Sequence, residues 1–141
     1  MADDAMSGLN TARRLSYGEQ LARAARKSPD ERALRFEDRE LTFGELDDRV
    51  TRLANALAER GASKGDRVAT LTYNGLEMVE TYLASARLGA ICVPINFRLV
   101  ADEVSYIEDD CGATAMIVDS KLAEVAGQVR ARSPAENVPR T

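Results

Sequence analysis

The chain has 141 residues, 45% hydrophobic and 30% charged, a composition that fits one ordinary domain with a single core. Its 19 basic and 23 acidic residues give a net charge of −4 and are mixed along the sequence, so no broad electropositive face for DNA or RNA is implied. The absence of histidine removes Ser-His-Asp and Cys-His nucleophile pairs and the commonest zinc sites.

The first residues, MADDAMSG, carry acid where a secretory signal carries positive charge, and no apolar run approaches the ~18 residues of a membrane span. A cytoplasmic protein is expected. Residues 1–14 are polar and aperiodic and read as an irregular lead. A first helix follows, with Tyr17, Leu21, Ala24 and Ala25 on one face, Arg23, Arg26 and Lys27 in its last turns, and Pro29 as its stop.

Residues 33–37 and 40–43 flank a turn and predict a small hairpin. Thr42 followed by Glu45 is a capping box, which opens a helix with Phe43, Leu46, Val50, Leu53 and Leu57 on its apolar stripe and Gly61 at its close. Residues 68–73 predict a strand. Asn74 then reads as the cap of a helix whose buried stripe is Val79, Tyr82, Leu83 and Ala86, ended by Gly89. The successive apolar residues 90–95 predict a strand covered on both faces, with Pro94 near its end because proline cannot donate to a ladder.

The pattern repeats once more. Asp102 begins a helix bearing Val104, Ile107 and Cys111, Gly112 stops it, residues 114–118 form a strand, and a last helix starts near Ser120 with Leu122, Val125 and Val129 inward. Residues 133–141 read as a frayed tail. The expected class is therefore α/β, a mainly parallel sheet with flanking helices, in one domain over residues 15–132. Cys92 and Cys111 fall inside apolar patterns and read as buried free thiols. Three strands leave an apolar edge with nothing in the chain to cover it.

No nucleotide-binding glycine motif is present: the turn after residue 73 reads NGLEM, and Gly61 and Gly65 precede a strand, where they act as helix stop and loop bend. Glu108, Asp109 and Asp110 are consecutive on a helix and point in different directions, so they read as a solvated helix end and not a metal site. Glu45, Asp47 and Asp48 read as first-turn charges that complement the helix dipole. Arg13, Arg14 and the basic residues of the first helix offer weak peripheral contact with an anionic membrane, diluted by Glu19 and the nearby aspartates. On these residues alone, a nucleotide-binding or CoA-binding module and a self-associating interaction module both stay open.

The series Leu41-Thr42-Phe43-Gly44-Glu45-Leu46, Gly65-Asp66-Arg67-Val68-Ala69 and residues 86–99, with Gly89-Ala90 and Val93-Pro94-Ile95-Asn96, carries a further signal. With its surroundings from Glu31 to Ser120 it resembles the opening of acyl-CoA synthetases of the adenylate-forming, AMP-binding superfamily. Asn96-Phe97-Arg98-Leu99 resembles bacterial fatty-acid and aromatic-acid CoA ligases more than peptide-synthetase adenylation domains, which tend to carry an acidic residue at the position of Asn96.

The resemblance implies an amino-terminal sub-portion of the large domain of an enzyme that uses ATP, Mg²⁺ and CoA to convert a carboxylic acid, a fatty acid above all, to an acyl-adenylate and then a thioester. It implies one site residue here: Arg98 matches an arginine that lies near the 3′-phosphate of CoA in some relatives, the alternative being a loop arginine paired with Asp102 or Glu103. The family's phosphate loop, ribose-binding aspartate and mobile-domain lysine match nothing in the 141 residues, so no catalytic residue is carried over and this stretch alone is expected to be inactive.

Overall fold

The computed structural model describes residues 17–132, so the expected lead at 1–14 and tail at 133–141 lie outside the described residues. In chain order the elements are α1 (Tyr17–Lys27), β1 (Arg32–Phe36), β2 (Arg39–Thr42), α2 (Phe43–Glu59), β3 (Arg67–Leu71), α3 (Leu76–Leu88), β4 (Ile91–Pro94), α4 (Ala101–Cys111), β5 (Ala113–Val118), a 3₁₀ turn (Ser120–Leu122) and α5 (Ala123–Arg132). The fold is α/β. β1 and β2 form the expected antiparallel hairpin, and the other strands form a parallel sheet in the order β4-β3-β5.

The capping box forms as its spacing predicts. Glu45 N–H donates to Thr42 Oγ1 at 3.2 Å, and Thr42 N–H donates to Glu45 Oε2 at 2.9 Å, which satisfies two of the donors a helix start leaves free. Gly61, Gly65, Gly89 and Gly112 all take positive φ, and Gly89 and Gly112 are the left-handed closures of α3 and α4. In the turn before β3, Ser63 donates to Asp66 through both its N–H and its hydroxyl, each at 2.7 Å, and these bonds hold the Asp66 carboxyl below its ordinary value of 3.8.

Two layers of apolar side chains sandwich the sheet. On one face Val68 packs with Leu21 of α1, with Leu46, Val50, Ala54 and Leu57 of α2 and with Ala84 of α3, while Ala115 and Ile117 of β5 border the cluster. On the other, Ala69 and Leu71 pack with Ala101 and Val104 of α4 and with Leu122 and Val129. Residues 68–71 of β3 are all buried, because this strand has a neighbour on each side and helices on each face.

Several expectations need correction. The strand covered on both faces is β3 and not β4: β4 lies at the sheet edge, where Ile91 is 54% exposed and Pro94, its last residue as expected, is exposed too. Asn74 does not cap α3; Gly75 holds that position in extended backbone with no side-chain bond. The buried face of α3 comprises Leu76, Glu80, Thr81, Ala84 and Ser85, and Tyr82 is 37% exposed. The face is rotated because α3 packs on α1 and α2 as well as the sheet, and small side chains let these backbones approach. Tyr17 stands outward at the exposed start of α1. Cys92 and Cys111 are half-buried and not fully enclosed, and burial pushes the Cys92 thiol above its ordinary value of 9.0, away from the reactive thiolate.

Polar side chains tie the helices together. Glu80, 6% exposed, accepts two bonds from Arg49, at 2.5 Å from Nε and 3.1 Å from Nη2, which keep Arg49 firmly protonated. At the start of α3, burial would raise the Glu77 carboxyl, but Arg39 of the hairpin, 2.7 Å away, and the residue's own N–H hold it below its ordinary value.

Asp47 is not merely a solvated first-turn charge. Arg87 Nη2 donates to Asp47 Oδ1 at 2.5 Å and to Gly18 O at 3.0 Å, while Nη1 reaches Asp47 O at 3.2 Å and Thr51 Oγ1 at 2.5 Å. One guanidinium thereby joins α1, α2 and α3. Gly18 permits this approach, since a Cβ there would lie 2.8 Å from Arg87 Cα. Arg87→Ala leaves the half-buried Asp47 carboxylate and two backbone carbonyls without that donor, and is expected to lower stability by about 1–3 kcal/mol. Urea unfolding measures this; a change within a few tenths of a kcal/mol would mean that the join contributes nothing.

Candidate functional site

Because β3, β4 and β5 run parallel, the segments leaving their carboxyl ends lie at one end of the sheet. This is where ligands bind open α/β sheets. The ends are held by backbone bonds that extend each ladder by one step: Ile95 N–H donates to Thr70 O at 2.8 Å and Asp119 N–H to Leu71 O at 3.0 Å. Asp119 also accepts from Lys121 N–H at 2.9 Å and starts the 3₁₀ turn.

Two of these segments meet through aromatic rings. Tyr73, two residues past β3, and Phe97, three past β4, have ring centroids 4.7 Å apart at 51°. The Arg98 guanidinium lies 5.8 Å from the Phe97 centroid, within reach of a cation–π contact. Arg98 N–H donates to Asn96 Oδ1 at 3.0 Å, and Leu99 N–H donates to Asn96 O at 3.1 Å, so Asn96 shapes the turn that presents the arginine. The Arg98 side chain is exposed.

The alternative partners expected for Arg98 were Asp102 and Glu103. Glu103 uses its carboxylate at the start of α4, accepting from Val100 N–H at 3.1 Å, while its own N–H donates to Val100 O at 3.0 Å. Arg98 is exposed, with its guanidinium beside the Phe97 ring, and a guanidinium as a group suits a phosphate or carboxylate.

Glu108, Asp109 and Asp110 sit at the far end of α4. Among the described residues no three His, Cys, Asp or Glu side chains are placed to hold a metal ion. No helix among the described residues is long and apolar enough to cross a membrane.

The pairing of Tyr73 with Phe97 was not foreseen from the sequence. The available signal was an aromatic just beyond the carboxyl end of each of two parallel strands. A double-mutant cycle of Tyr73→Ala and Phe97→Ala is expected to give a coupling of about 0.5–1.5 kcal/mol in unfolding free energy. Additive effects would show that the rings do not support each other.

Comparison with known proteins agrees with this fold. The model of the family described as AMP-binding enzyme matches residues 21–140. A feruloyl-CoA synthase of Amycolatopsis sp. is 41% identical over 109 residues, which are 77% of this chain and 22% of that protein. Among solved structures, a fatty acyl CoA synthetase of Mycobacterium tuberculosis superposes with a TM-score of 0.76 at 35% identity, over 84% of this chain and 24% of the other. An anthranilate CoA ligase in complex with anthranoyl-AMP gives a TM-score of 0.79 at 31% identity, over 84% and 23%. The chain spans about a fifth of the length of the curated relatives it matches. With the family model covering nearly all of it, and with the parallel sheet and strand-end loops in place, the chain belongs to the AMP-binding enzyme family.

Proposed function

We propose that this chain is a wall of the large domain of an ATP-dependent acyl-CoA ligase acting on a fatty or aromatic carboxylic acid, in the cytoplasm where ATP and CoA are at hand. The observation that carries the reading is the family match over residues 21–140, joined to relatives whose printed activities are all transfers of an acid to CoA. The unit that contributes to this wall is residues 15–132.

The chemistry fits the division of labour in the chain. A carboxylate is a poor electrophile. Attack of one carboxylate oxygen on the α-phosphorus of ATP expels pyrophosphate and leaves an acyl-adenylate. The CoA sulfur then attacks the acyl carbon, and AMP departs with that oxygen. Mg²⁺, when bound with ATP, neutralises the polyphosphate. No residue of this chain is assigned to ATP or Mg²⁺. Its contribution is to hold the strand-end segments and, through Arg98, to meet the 3′-phosphate of CoA with a guanidinium fork.

Two experiments test the reading. Supplied with Mg·ATP, CoA and a panel of fatty and aromatic acids, the protein encoded by the entire reading frame is expected to release pyrophosphate only when acid is present, and residues 1–141 alone are expected to release none. Robust turnover by the 141 residues would contradict the assignment of a structural role. In the whole enzyme, Arg98→Ala is expected to raise KM for CoA about 10-fold and to leave KM for dephospho-CoA unchanged. Equal effects on both would remove Arg98 from the 3′-phosphate.

A further inference from the structure

The two aromatic rings at the strand ends are not equivalent. Phe97 is anchored in the fold: with Leu99 it packs against the core layer that holds Ala69, Leu71 and Val104. Tyr73 belongs to neither core layer. The chain before it is fixed, since Thr72 is buried with its hydroxyl 3.4 Å from that of Thr70, and Tyr73 then steps out of the sheet. Its ring rests on Phe97 at a centroid separation of 4.7 Å and stays 38% exposed. Among the described residues Tyr17, Tyr82 and Tyr106 are exposed too, but these stand on helices and not in a pair of rings at the strand ends. Tyr73 is thus a flat apolar surface presented to solvent and backed by an anchored ring.

A cation stands beside the same support. The exposed Arg98 guanidinium lies 5.8 Å from the Phe97 centroid, and the Asn96 side chain accepts from Arg98 N–H at 3.0 Å to fix the turn between them. Tyr73 and Arg98 therefore share Phe97 as a neighbour. An aromatic surface close to a lone guanidinium fits a ligand that carries a flat base and a phosphate on one small frame. The nucleotide end of CoA is such a ligand, because its adenine and its 3′-phosphate hang from the same ribose.

Exposure favours CoA over the other two substrates. The nucleotide of CoA takes no part in bond making and can bind at an open loop, whereas the acid and ATP meet where the carboxylate attacks the α-phosphorus and water must be kept away. ATP also brings its phosphates as one magnesium-bound chain, which a single exposed guanidinium does not serve.

We propose that the Tyr73 ring is the stacking surface for the adenine of CoA, placed by Phe97 so that Arg98 takes the phosphate on the same ribose. The inference rests on the ligase reading and on the role given there to Arg98, and it adds the residue that meets the base. A tyrosine ring suits this task, since it offers a rigid contact area at little cost in conformational freedom. The base is bound alike before and during the transfer of the acyl group, so its contact with Tyr73 acts on KM and not on kcat.

Steady-state kinetics of thioester formation by the protein encoded by the whole reading frame test this, with acid-dependent pyrophosphate release measured on the same preparation. Tyr73→Leu is expected to raise KM about 10-fold for CoA and for dephospho-CoA alike, with KM for ATP and for the acid unmoved. That pattern differs from Arg98→Ala, which spares dephospho-CoA. Tyr73→Phe keeps the ring and is expected to hold both thiol KM values within about twofold of the unsubstituted enzyme. Where leucine unfolds the loop, Tyr73→Met takes its place. A KM for CoA that stays within twofold in the leucine or methionine variant overturns the stacking role. A rise in KM for ATP or for the acid gives the ring to that substrate and also overturns it, and so does an equal loss in Tyr73→Phe, which would point to the hydroxyl. Absence of acid-dependent pyrophosphate release from the unsubstituted protein fails the ligase reading itself.

Discussion

Everything in this structure hangs on one strand that is shared by two neighbours. β3 sends alternate backbone groups to β4 and to β5, and its side chains alternate between the two apolar layers, with Val68 on one face and Ala69 and Leu71 together on the other. Past its exposed first residue, Arg67, a strand in this position is covered on every side, which is why residues 68–71 are all buried. Shifting its register by one residue would exchange the two layers and break both ladders together. The parallel arrangement it enforces also collects the strand-end segments at one end of the sheet, so the placement of Tyr73, Phe97 and Arg98 follows from the same constraint.

The helices on the first face need a second device, because apolar packing does not determine how they slide on one another. Arg87 and Arg49 provide it. Each guanidinium reaches across to a carboxylate on α2 or α3, and Arg87 also reaches the α1 backbone at Gly18. Paired charges of this kind contribute modestly to net stability and more to a single arrangement, since the unpaired alternatives leave a half-buried charge without a partner.

Local signals carried most of the element boundaries. The Thr42 and Glu45 pair, the glycines at positions 61, 89 and 112, and Pro94 at the end of β4 each act within a few residues, so their consequences are readable from their neighbours. What depended on distant contacts was not readable. The run AICVPI has the composition of an inner strand, yet within these residues it lies at an edge, because the chain crosses over to place β5 on the other side of β3. The α3 face was displaced because Glu80 finds Arg49 on α2, a partner 31 positions earlier that makes burial of a carboxylate tolerable. The same distance hid the contact of Tyr73 with Phe97, while Arg98 stood out only through a resemblance of its surrounding motif.

The proposed function places the strand-end segments in an enzyme that activates a carboxylic acid as its adenylate. The most direct measurement follows the carboxylate oxygens. The protein encoded by the whole reading frame is supplied with Mg·ATP, CoA and an acid labelled with heavy oxygen in its carboxylate. AMP carrying one heavy oxygen is expected, the atom left behind when CoA takes the acyl group. Thioester formation with the label in orthophosphate, or with AMP unlabelled, would contradict it.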